Sequence, residues 1–464
     1  QQLAAHRTRA LGLLGLCFVV FWPLAALAKQ NGAILPLLAL VIEVFFFARP
    51  SATRDRRLVH GLLALTVGGP ALVLAVKIAV DPAWLTAKYA IRDFSLYERV
   101  LTQPRILLDY AANTLLIPGG TPLGLHHDDF VKSRGLLDPP FTIVAWAVLA
   151  ATLAAGWRLR GTRGGLLLFG PVFFVAAHLV ESSVFPLELY FEHRNYLPAI
   201  GLFISLAVAL DRLRARVRSR ALMALVLIAI PLGYAVSTAY RVLVWQSEEA
   251  LLLAAERAHP RSPRVHTSLA SHYFSAGDIE RGIEHLDLAN EYYGGRRGYA
   301  IALHRLAAFC FAERGPAERH YAALESEPLI DDDVYTTNAL QWLSESAERG
   351  NCRELDLARI AGILHRHVRA RRGLGDHGRN WALHLYTAQL LALTGRKRDA
   401  IEHLRSASEL RDGWLEPGLL MVRYQLDLGD VEGARETLAE LTRRDRGRFA
   451  LHSRLIEEFE RRLR

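Results

Sequence analysis

The densest group of chemically capable side chains lies in residues 181–197. Three carboxylates, a histidine, an arginine and two tyrosines fall within 16 residues: Glu181, Glu188, Tyr190, Glu192, His193, Arg194 and Tyr196. The planar guanidinium of an arginine suits a phosphate group and stays charged at any relevant pH. This segment could therefore bind a phosphorylated substrate, or its carboxylates and arginine could form an internal salt-bridge network that holds the loop.

A second polar group follows the short apolar stretch 107–117. Two histidines and two aspartates come in a row, with three more charged side chains behind them: His126, His127, Asp128, Asp129, Lys132, Arg134 and Asp138. Such residues can bind a divalent metal or act as an acid–base pair. Adjacent residues rarely ligate one ion together, so a solvated or structural turn stays open as well. The stretch 107–117 is too short to span a bilayer, and we expect it to lie along the membrane surface or to re-enter.

The turn Lys29-Gln30-Asn31-Gly32 offers a further cation. Lys29 could reach a lipid head group or a substrate phosphate, or it could simply extend its ammonium group to the interface. Glu43, Lys77 and His178 lie inside apolar stretches. Ionisable residues in such positions usually face the interior of a helix bundle or a wet cavity.

Long apolar stretches separate these polar groups. Of the 464 residues 51% are hydrophobic, and the apolar runs concentrate in the first half of the chain. A membrane-spanning helix needs about 20 mostly apolar residues. Seven stretches meet or approach this length: 10–28, 34–47, 59–80, 141–157, 166–180, 197–210 and 221–240. The sequence therefore predicts an all-α chain whose residues 1–244 form a multispan transmembrane helix bundle of about seven spans.

Arginines mark one side of this bundle, because cytoplasmic loops carry an excess of Lys and Arg. The arginine-rich segments are 7–9, 49–57, 158–163 and 212–220. Alternation of the spans then places the remaining segments outside the cytoplasm: 29–32, 81–138, 181–197 and everything after 240. The net charge of +9 is largely this signal, and it requires no nucleic-acid partner.

Residues 245–464 show a helical-repeat pattern. Large, small, aromatic and glycine residues have the spacing typical of tetratricopeptide repeats at Leu269, Ala270, Tyr273, Gly277, Gly282, Leu286 and Ala289. The pattern returns around Gly395 and Gly429, which are 34 residues apart, and Gly315 and Gly350 mark degenerate repeats between. We expect a superhelix of about five repeats, with a generic helical bundle as the alternative. Stacked repeats form a concave surface, which favours binding of a protein or peptide.

The chain has three cysteines. Cys17 lies in a predicted span, whereas Cys310 and Cys352 lie in the repeat half, on the oxidising side. They could pair, although spacing alone does not show it. We favour two buried thiols that pack as small hydrophobic side chains.

The order of these parts resembles a known family. A multispan membrane domain followed by tetratricopeptide repeats is similar to the transmembrane-and-tetratricopeptide-repeat (TMTC) O-mannosyltransferases and their bacterial relatives, in the GT-C class of glycosyltransferases. The turn 29–32 resembles a Lys–acidic/amide–Gly turn of that family. Residues 192–201 resemble its Glu, Tyr-(Ile/Leu)-Pro and Gly pattern at Glu192, Tyr196-Leu197-Pro198 and Gly201. The family's Arg usually follows the Glu directly, whereas His193 intervenes here. The form of this motif and the His-Asp-Asp-Phe loop look more like the bacterial branch.

The resemblance implies that the protein transfers a sugar from a polyprenyl-phosphate carrier to a protein or glycan acceptor on the non-cytoplasmic face. The phosphate leaving group would be held by Lys29, His193 and Arg194, since its developing charge needs fixed cations. Glu192 would orient Arg194. The sugar or lipid would be flanked by Tyr190 and Tyr196, and further substrate-binding candidates are Glu188 and Arg134. Secondary candidates for binding the acceptor or a divalent metal are Asp128 and Asp129.

The family's catalytic carboxylate lies in a first outer loop, which would precede Gln1. We therefore expect the chain to be N-terminally incomplete and to lack the loop with the base. The repeats would present an acceptor polypeptide. The bacterial form of the motif places the protein in an inner membrane with its repeats in the periplasm.

Two other classes of function remain open from the sequence. The protein could be a non-enzymatic scaffold whose repeats recruit envelope proteins, although one anchoring helix would suffice for that. It could also be another enzyme of lipid-linked glycans, such as a polymerase or ligase.

Overall fold

The computed structural model describes residues 7–47, 54–86, 89, 92–116, 124–312, 315–329, 334–370, 380–411, 414–446 and 453–462. Regular secondary structure in these ranges is entirely helical, which confirms the predicted class. The chain divides into two compact units, Gln1–His259 and Pro260–Arg464. The sequence placed the division slightly earlier, between residues 244 and 245.

The first unit contains α-helices joined by short π-helical and 3₁₀ segments. Its α-helices are α1 (Arg7–Leu16), α2 (Trp22–Ala28), α3 (Leu35–Ile42), α4 (Arg54–Val80), α5 (Ala83–Thr86), α6 (Leu96–Leu115), α7 (Phe141–Leu159), α8 (Gly165–Ala177), α9 (Tyr196–Arg216), α10 (Arg220–Val244) and α11 (Glu248–Ala258). The π-helical segments are Cys17–Phe21 and Glu43–Phe47, and the 3₁₀ segments are Gln30–Ile34 and Glu192–Asn195.

Among the residues of this unit that the structure describes, five helical segments are long and apolar enough to cross a membrane: Gln30–Phe47, Arg57–Val80, Phe141–Leu159, Glu192–Arg216 and Arg220–Val244. They coincide with five of the seven predicted spans. The other two predicted spans coincide with shorter apolar helices, Gly12–Ala28 and Gly165–Ala177. Large apolar side chains of α4 and α10 are exposed, including Leu65, Val73, Ile228 and Val236. Exposed apolar surface of this extent is what a helix in contact with lipid presents, and it is consistent with membrane integration.

Glycines permit a close contact between α8 and α9. A Cβ atom on Gly201 would lie 2.8 Å from the carbonyl oxygen of Gly170, and one on Gly170 would overlap the backbone of Gly201. Ser205, one helical turn after Gly201, accepts a hydrogen bond from Gly170 N at 3.0 Å and donates to Leu167 O at 2.8 Å. Small residues thus let the two backbones approach, as in other membrane helix pairs. This contact holds in place the ends from which residues 178–195 extend.

Residues 107–115 of the apolar stretch belong to a longer helix than the sequence predicts. Helix α6 begins at a capping box, in which Ser95 and Glu98 satisfy each other's backbone N–H groups, and it runs for 20 residues. Its buried face includes Arg99, Ile106 and Tyr110. This helix is amphipathic, and its buried face positions side chains.

The second unit is built largely from helical hairpins. Its α-helices are α12 (Pro263–Ser275), α13 (Ile279–Tyr292), α14 (Gly298–Ala308), α15 (Glu318–Ser326), α16 (Val334–Glu348), α17 (Leu357–Ala370), α18 (Asn380–Leu393), α19 (Lys397–Leu410), α20 (Glu416–Asp427), α21 (Val431–Arg446) and α22 (Ser453–Arg462). A 3₁₀ segment, Phe309–Phe311, follows α14.

Three hairpins turn at the glycines that the sequence pattern marks. Gly277, Gly395 and Gly429 have φ values of +81°, +83° and +77°, a left-handed conformation that side chains rarely adopt. Gly350 has the same conformation after α16, at +78°. Gly315 does not occupy an equivalent turn, because it packs against the backbone of Glu354 instead.

Cys310 and Cys352 form a disulfide bond in the second unit. The bond joins the 3₁₀ segment after α14 to the segment that follows α16. Our favoured interpretation of two separate buried thiols is therefore wrong. Sequence could not decide this, because the bond depends on a long-range approach of two side chains.

Candidate functional site

Contacts in the first unit bring together the segments that the arginine distribution places on one side. Asn31 of the first turn donates a hydrogen bond to the carboxylate of Glu181. Tyr89 donates to the carbonyl oxygen of Val184 at 2.6 Å, and Tyr234 donates to that of Thr114 at 2.7 Å. Together with the Asp129–His259 contact of the part after 240, these hydrogen bonds join the segments 29–32, 81–138 and 181–197 in one polar cluster.

Arg99 holds the backbone of the loop 181–188. Its side chain is fully buried, and its guanidinium donates to the carbonyl oxygens of Glu181, Ser183 and Leu187, the last two at 2.8 and 2.5 Å. Burial lowers the pKa of Arg99 to about 10. We did not identify this residue from sequence, because a single arginine in an amphipathic helix gives no sign of its partners.

Arg194 is held by Glu181 rather than by Glu192. The Nε atom of Arg194 lies 3.2 Å from Glu181 Oε2, and Nη1 donates to Glu188 O at 2.6 Å. Both charged side chains are less than a tenth exposed, at 8% and 9%. The prediction that Glu192 orients Arg194 is wrong in this structure, because the guanidinium turns back into its own loop. This geometry favours the internal salt-bridge interpretation for Arg194.

Glu192 instead pairs with His127 of the other predicted cluster. Its Oε1 atom lies 2.8 Å from His127 Nε2, and the histidine side chain is only 5% exposed. A carboxylate accepts, so Nε2 carries the proton and a neutral His127 has its lone pair on Nδ1. The ring of His127 stacks on Tyr190 with centroids 4.0 Å apart. The two clusters that the sequence separates by some 60 residues are therefore one site.

A second carboxylate–imidazole pair lies beside the first. His259 Nδ1 is 2.9 Å from Asp129 Oδ1, and the His259 ring meets that of His127 edge-on with centroids 4.2 Å apart. Within the described part of the chain, buried His259 Nε2 has no hydrogen-bond partner. Gly124 lies so close that a Cβ atom there would overlap the His259 ring. Sequence reasoning missed His259, which lies beyond the last apolar helix in no recognisable motif.

Tyr190 extends the cluster to helix α6. Its hydroxyl donates to Asp109 Oδ2 at 2.5 Å and accepts from Asn113 Nδ2 at 3.1 Å. Burial, followed by the hydrogen bond and charge of Asp109, raises the pKa of Tyr190 above its ordinary value. Tyr110 joins the same helix to the backbone of Phe191, donating to its carbonyl oxygen at 2.9 Å. Asp109 is a further carboxylate that the sequence did not reveal, because it lies inside an apolar stretch.

The remaining predicted site residues lie around this cluster. Glu188 pairs with Arg92 at 2.7 Å, and Asp128 is partly buried. Four predicted site residues are exposed: Lys29, Arg134, His193 and Tyr196, the last at 88%. The structure thus brings Glu192, Asp129 and Tyr190 together, and it leaves Arg134 outside the contacts described above.

The cluster is better suited to moving protons than to holding a metal ion. Although it contains His127, Asp129, Glu192 and His259, no three ligand atoms of these described side chains lie within 4.8 Å of one another. Each imidazole instead has one nitrogen fixed by a carboxylate, which leaves the other as a base.

Comparisons of the chain with protein-family models, with curated proteins and with solved structures find no match. The function therefore has to be argued from this geometry and from the resemblance of the motifs.

Proposed function

We propose that the protein is a membrane glycosyltransferase of the GT-C type, which moves a sugar from a polyprenyl-phosphate donor to a protein or glycan acceptor on the non-cytoplasmic face. The observation that carries the proposal is the pair of carboxylate–imidazole contacts, Glu192–His127 and Asp129–His259. Their imidazole rings meet edge-on beside the start of the membrane-length apolar helix Glu192–Arg216. A scaffold has no need of buried acid–base pairs at this position.

The proposed reaction transfers the glycosyl group of the donor to a hydroxyl group of the acceptor. The acceptor oxygen forms a bond to the anomeric carbon while the bond from that carbon to the phosphate oxygen breaks. The hydroxyl proton passes to a base, and the part of the chain that the structure describes offers the imidazole of His127, whose Nε2 contacts Glu192. The polyprenyl phosphate leaves with the electron pair.

Cations near the same loops would stabilise the leaving phosphate. Lys29 is exposed two residues before Asn31, which contacts Glu181, the partner of Arg194. His193 is exposed between Glu192 and Arg194. Arg194 itself is occupied by Glu181 and by a carbonyl oxygen, so its part in the proposal is to hold the loop, and Lys29 and His193 face the phosphate.

The second unit would bind the acceptor polypeptide. We propose that its hairpins are tetratricopeptide repeats, about five in number, and that the unit lies in the periplasm of a bacterium, after seven spans. Support comes from the left-handed glycines Gly277, Gly395 and Gly429 and from the disulfide Cys310–Cys352, a bond that persists in oxidising compartments.

The test measures binding of a short-chain polyprenyl-phosphate sugar to the protein in nanodiscs. Lys29→Ala, His193→Ala, Glu192→Ala and Arg194→Ala are compared with Lys132→Ala, a control whose lysine already pairs with Asp93. We expect the four variants to lose at least tenfold in affinity, about 1.4 kcal/mol, and the control to bind as the wild type does. Lys29 and His193 are exposed, so their variants keep the fold even where Arg194→Ala does not.

A non-enzymatic scaffold is the second candidate, and one observation favours it. Glu181 and Arg194 pair with each other, and Arg99 binds carbonyl oxygens of the loop, so these groups stabilise the loop itself. If wild type and all variants bind the donor equally weakly while the protein stays folded, the transferase proposal fails and the repeats become the functional part.

A further inference from the structure

Two hairpins of the second unit carry a histidine pair at corresponding positions. His266 and His285 lie on α12 and α13, and His384 and His403 lie on α18 and α19. In both hairpins the first histidine comes eleven residues before the left-handed glycine and the second comes eight residues after it. The recurrence places an imidazole on each of two facing helices, twice in the same unit.

The two pairs have the same contact. The Nδ1 atoms of His266 and His285 are 2.9 Å apart, and so are those of His384 and His403. His266 and His403 are each only 2% exposed. Four imidazole nitrogens are thus directed at one another in two pairs, each with one buried and one half-buried ring. Such a contact is costly unless a proton or a metal ion lies between the members of each pair.

A further contact orients one ring of each pair. His266 Nε2 lies 3.0 Å from the carbonyl oxygen of Pro260, which can only accept, so a neutral His266 turns its Nδ1 lone pair toward His285. His403 Nε2 lies 3.0 Å from His365 Nδ1, on the neighbouring helix α17. Metal-binding histidines are commonly held in this way, with the far nitrogen bonded to a carbonyl or another fixed group.

Packing of the hairpin does not itself demand histidine at these positions. The α20–α21 hairpin has the same left-handed turn at Gly429, but it carries Gly418 and Thr437 eleven residues before and eight after. Gly418 packs against Leu441, and the hydroxyl of Thr437 bonds within its own helix to Gly433 O at 2.9 Å. The histidine pairs are therefore features of two hairpins rather than of the repeat as such.

We propose that each histidine pair binds one borderline divalent transition-metal ion, of the Zn²⁺, Ni²⁺ or Cu²⁺ class, between its two Nδ1 atoms, with water completing the coordination. Zinc–nitrogen bonds of about 2.0–2.1 Å at a tetrahedral angle separate two ligand nitrogens by about 3.3 Å. A small rotation of one ring provides this from 2.9 Å. Each ion would join the two helices of its hairpin. This proposal does not depend on the proposed transferase activity.

The test is titration of the chelator-treated, tag-free protein in detergent with ZnCl₂ by calorimetry. Variants His285→Gln, His403→Gln and the double variant are compared with His272→Gln, a histidine of α12 outside the pairs. We expect each single variant to lose one equivalent of bound zinc, the double variant to lose two, and the control to lose none. His365→Gln should weaken only the second site, by roughly 10- to 100-fold.

A second measurement guards against variants that fail to fold. Zinc should raise the thermal midpoint of the wild type, and Co²⁺ should give a nitrogen-ligand absorption spectrum that the double variant lacks. If folded wild type binds no more zinc than the double variant, the pairs are hydrogen-bonded imidazoles and the proposal is overturned. If the double variant loses its zinc sites but binds the polyprenyl-phosphate donor as the wild type does, the proposed function is untouched. If zinc binds while the donor does not, the proposed function fails and the metal sites stand.

Discussion

The buried arginines of the first unit mainly bind the protein backbone. Arg99 and Arg194 both direct guanidinium groups at carbonyl oxygens of the loop 181–188. A buried charge is costly unless its donors are satisfied; backbone carbonyls meet that need for Arg99, and a carbonyl together with the carboxylate of Glu181 meets it for Arg194. Of the three residues proposed for the phosphate, Lys29 and His193 are the exposed ones.

Replacing Arg99 with methionine tests this role, because methionine keeps much of the stem and removes the donors. The carbonyl oxygens of Glu181, Ser183 and Leu187 then lose buried partners, each at about 1–3 kcal/mol. We expect the free energy of unfolding to fall by about 3 kcal/mol or more, measured by chemical denaturation in detergent. Exposed Arg134→Met is the control and should stay within about 0.5 kcal/mol of the wild type. Equal stability of the two variants would contradict the role of Arg99.

Tyr190 should make stability depend on pH in the alkaline range. Burial and Asp109 raise its pKa in the folded protein, so the unfolded chain, whose tyrosines ionise near about pH 10, loses the proton first. The contribution is fully present below that pH and is lost as pH rises toward the folded pKa.

Tyr190→Phe also removes a hydrogen bond to a carboxylate, worth about 1.5–3 kcal/mol. We therefore expect this variant to be less stable than the wild type at pH 8 and to lose less further stability by pH 11. Tyr196→Phe, at an exposed tyrosine, should follow the wild type at both pH values. The measurement is the denaturant midpoint at each pH, and a parallel decline of wild type and Tyr190→Phe would refute the account.

At the scale of elements, the α8–α9 contact is the one that positions the site, since the loop 181–197 runs between these helices. Gly201→Ala places a methyl group 2.8 Å from Gly170 O, which forces the helices apart. We expect a loss of about 1–3 kcal/mol in thermal or denaturant unfolding in nanodiscs. Gly68→Ala in α4, where a Cβ atom meets nothing within 4 Å, should be neutral or slightly stabilising. An unchanged Gly201→Ala would show that the helices do not need this close approach.

The elements themselves were largely predictable, and the site was only partly so. Hydropathy locates the apolar helices because a membrane-length helix is a local property of about 20 residues. Glycine spacing likewise locates the turns at Gly277, Gly395 and Gly429. The pairs Asp129–His259 and Arg99–Ser183 join residues 130 and 84 positions apart, and no local pattern encodes such contacts. The capping box of Ser95 and Glu98 is visible in the sequence, and it would have moved the predicted start of α6 from residue 107 to residue 96.

At the scale of the whole molecule, the proposed topology places the polar cluster of the first unit and the whole second unit outside the cytoplasm. In the first unit, the polar cluster is made from segments that the arginine distribution places outside. In the second, the disulfide Cys310–Cys352 belongs in an oxidising compartment. Two independent kinds of observation, loop charge and cysteine chemistry, thus support the same side.

Cysteine labelling tests that side directly. In a Cys17→Ser background, single cysteines replace Val131 in the outer segment 81–138 and Arg163 in an arginine-rich loop, both exposed. A membrane-impermeant maleimide added to intact spheroplasts should label Val131→Cys and should reach Arg163→Cys only after the membrane is permeabilised. Cys310 and Cys352 should react with the external maleimide only after a reductant has opened their disulfide bond. The reverse pattern would invert the topology, and it would put the acid–base cluster on the cytoplasmic face, where a donor on the outer leaflet could not reach it.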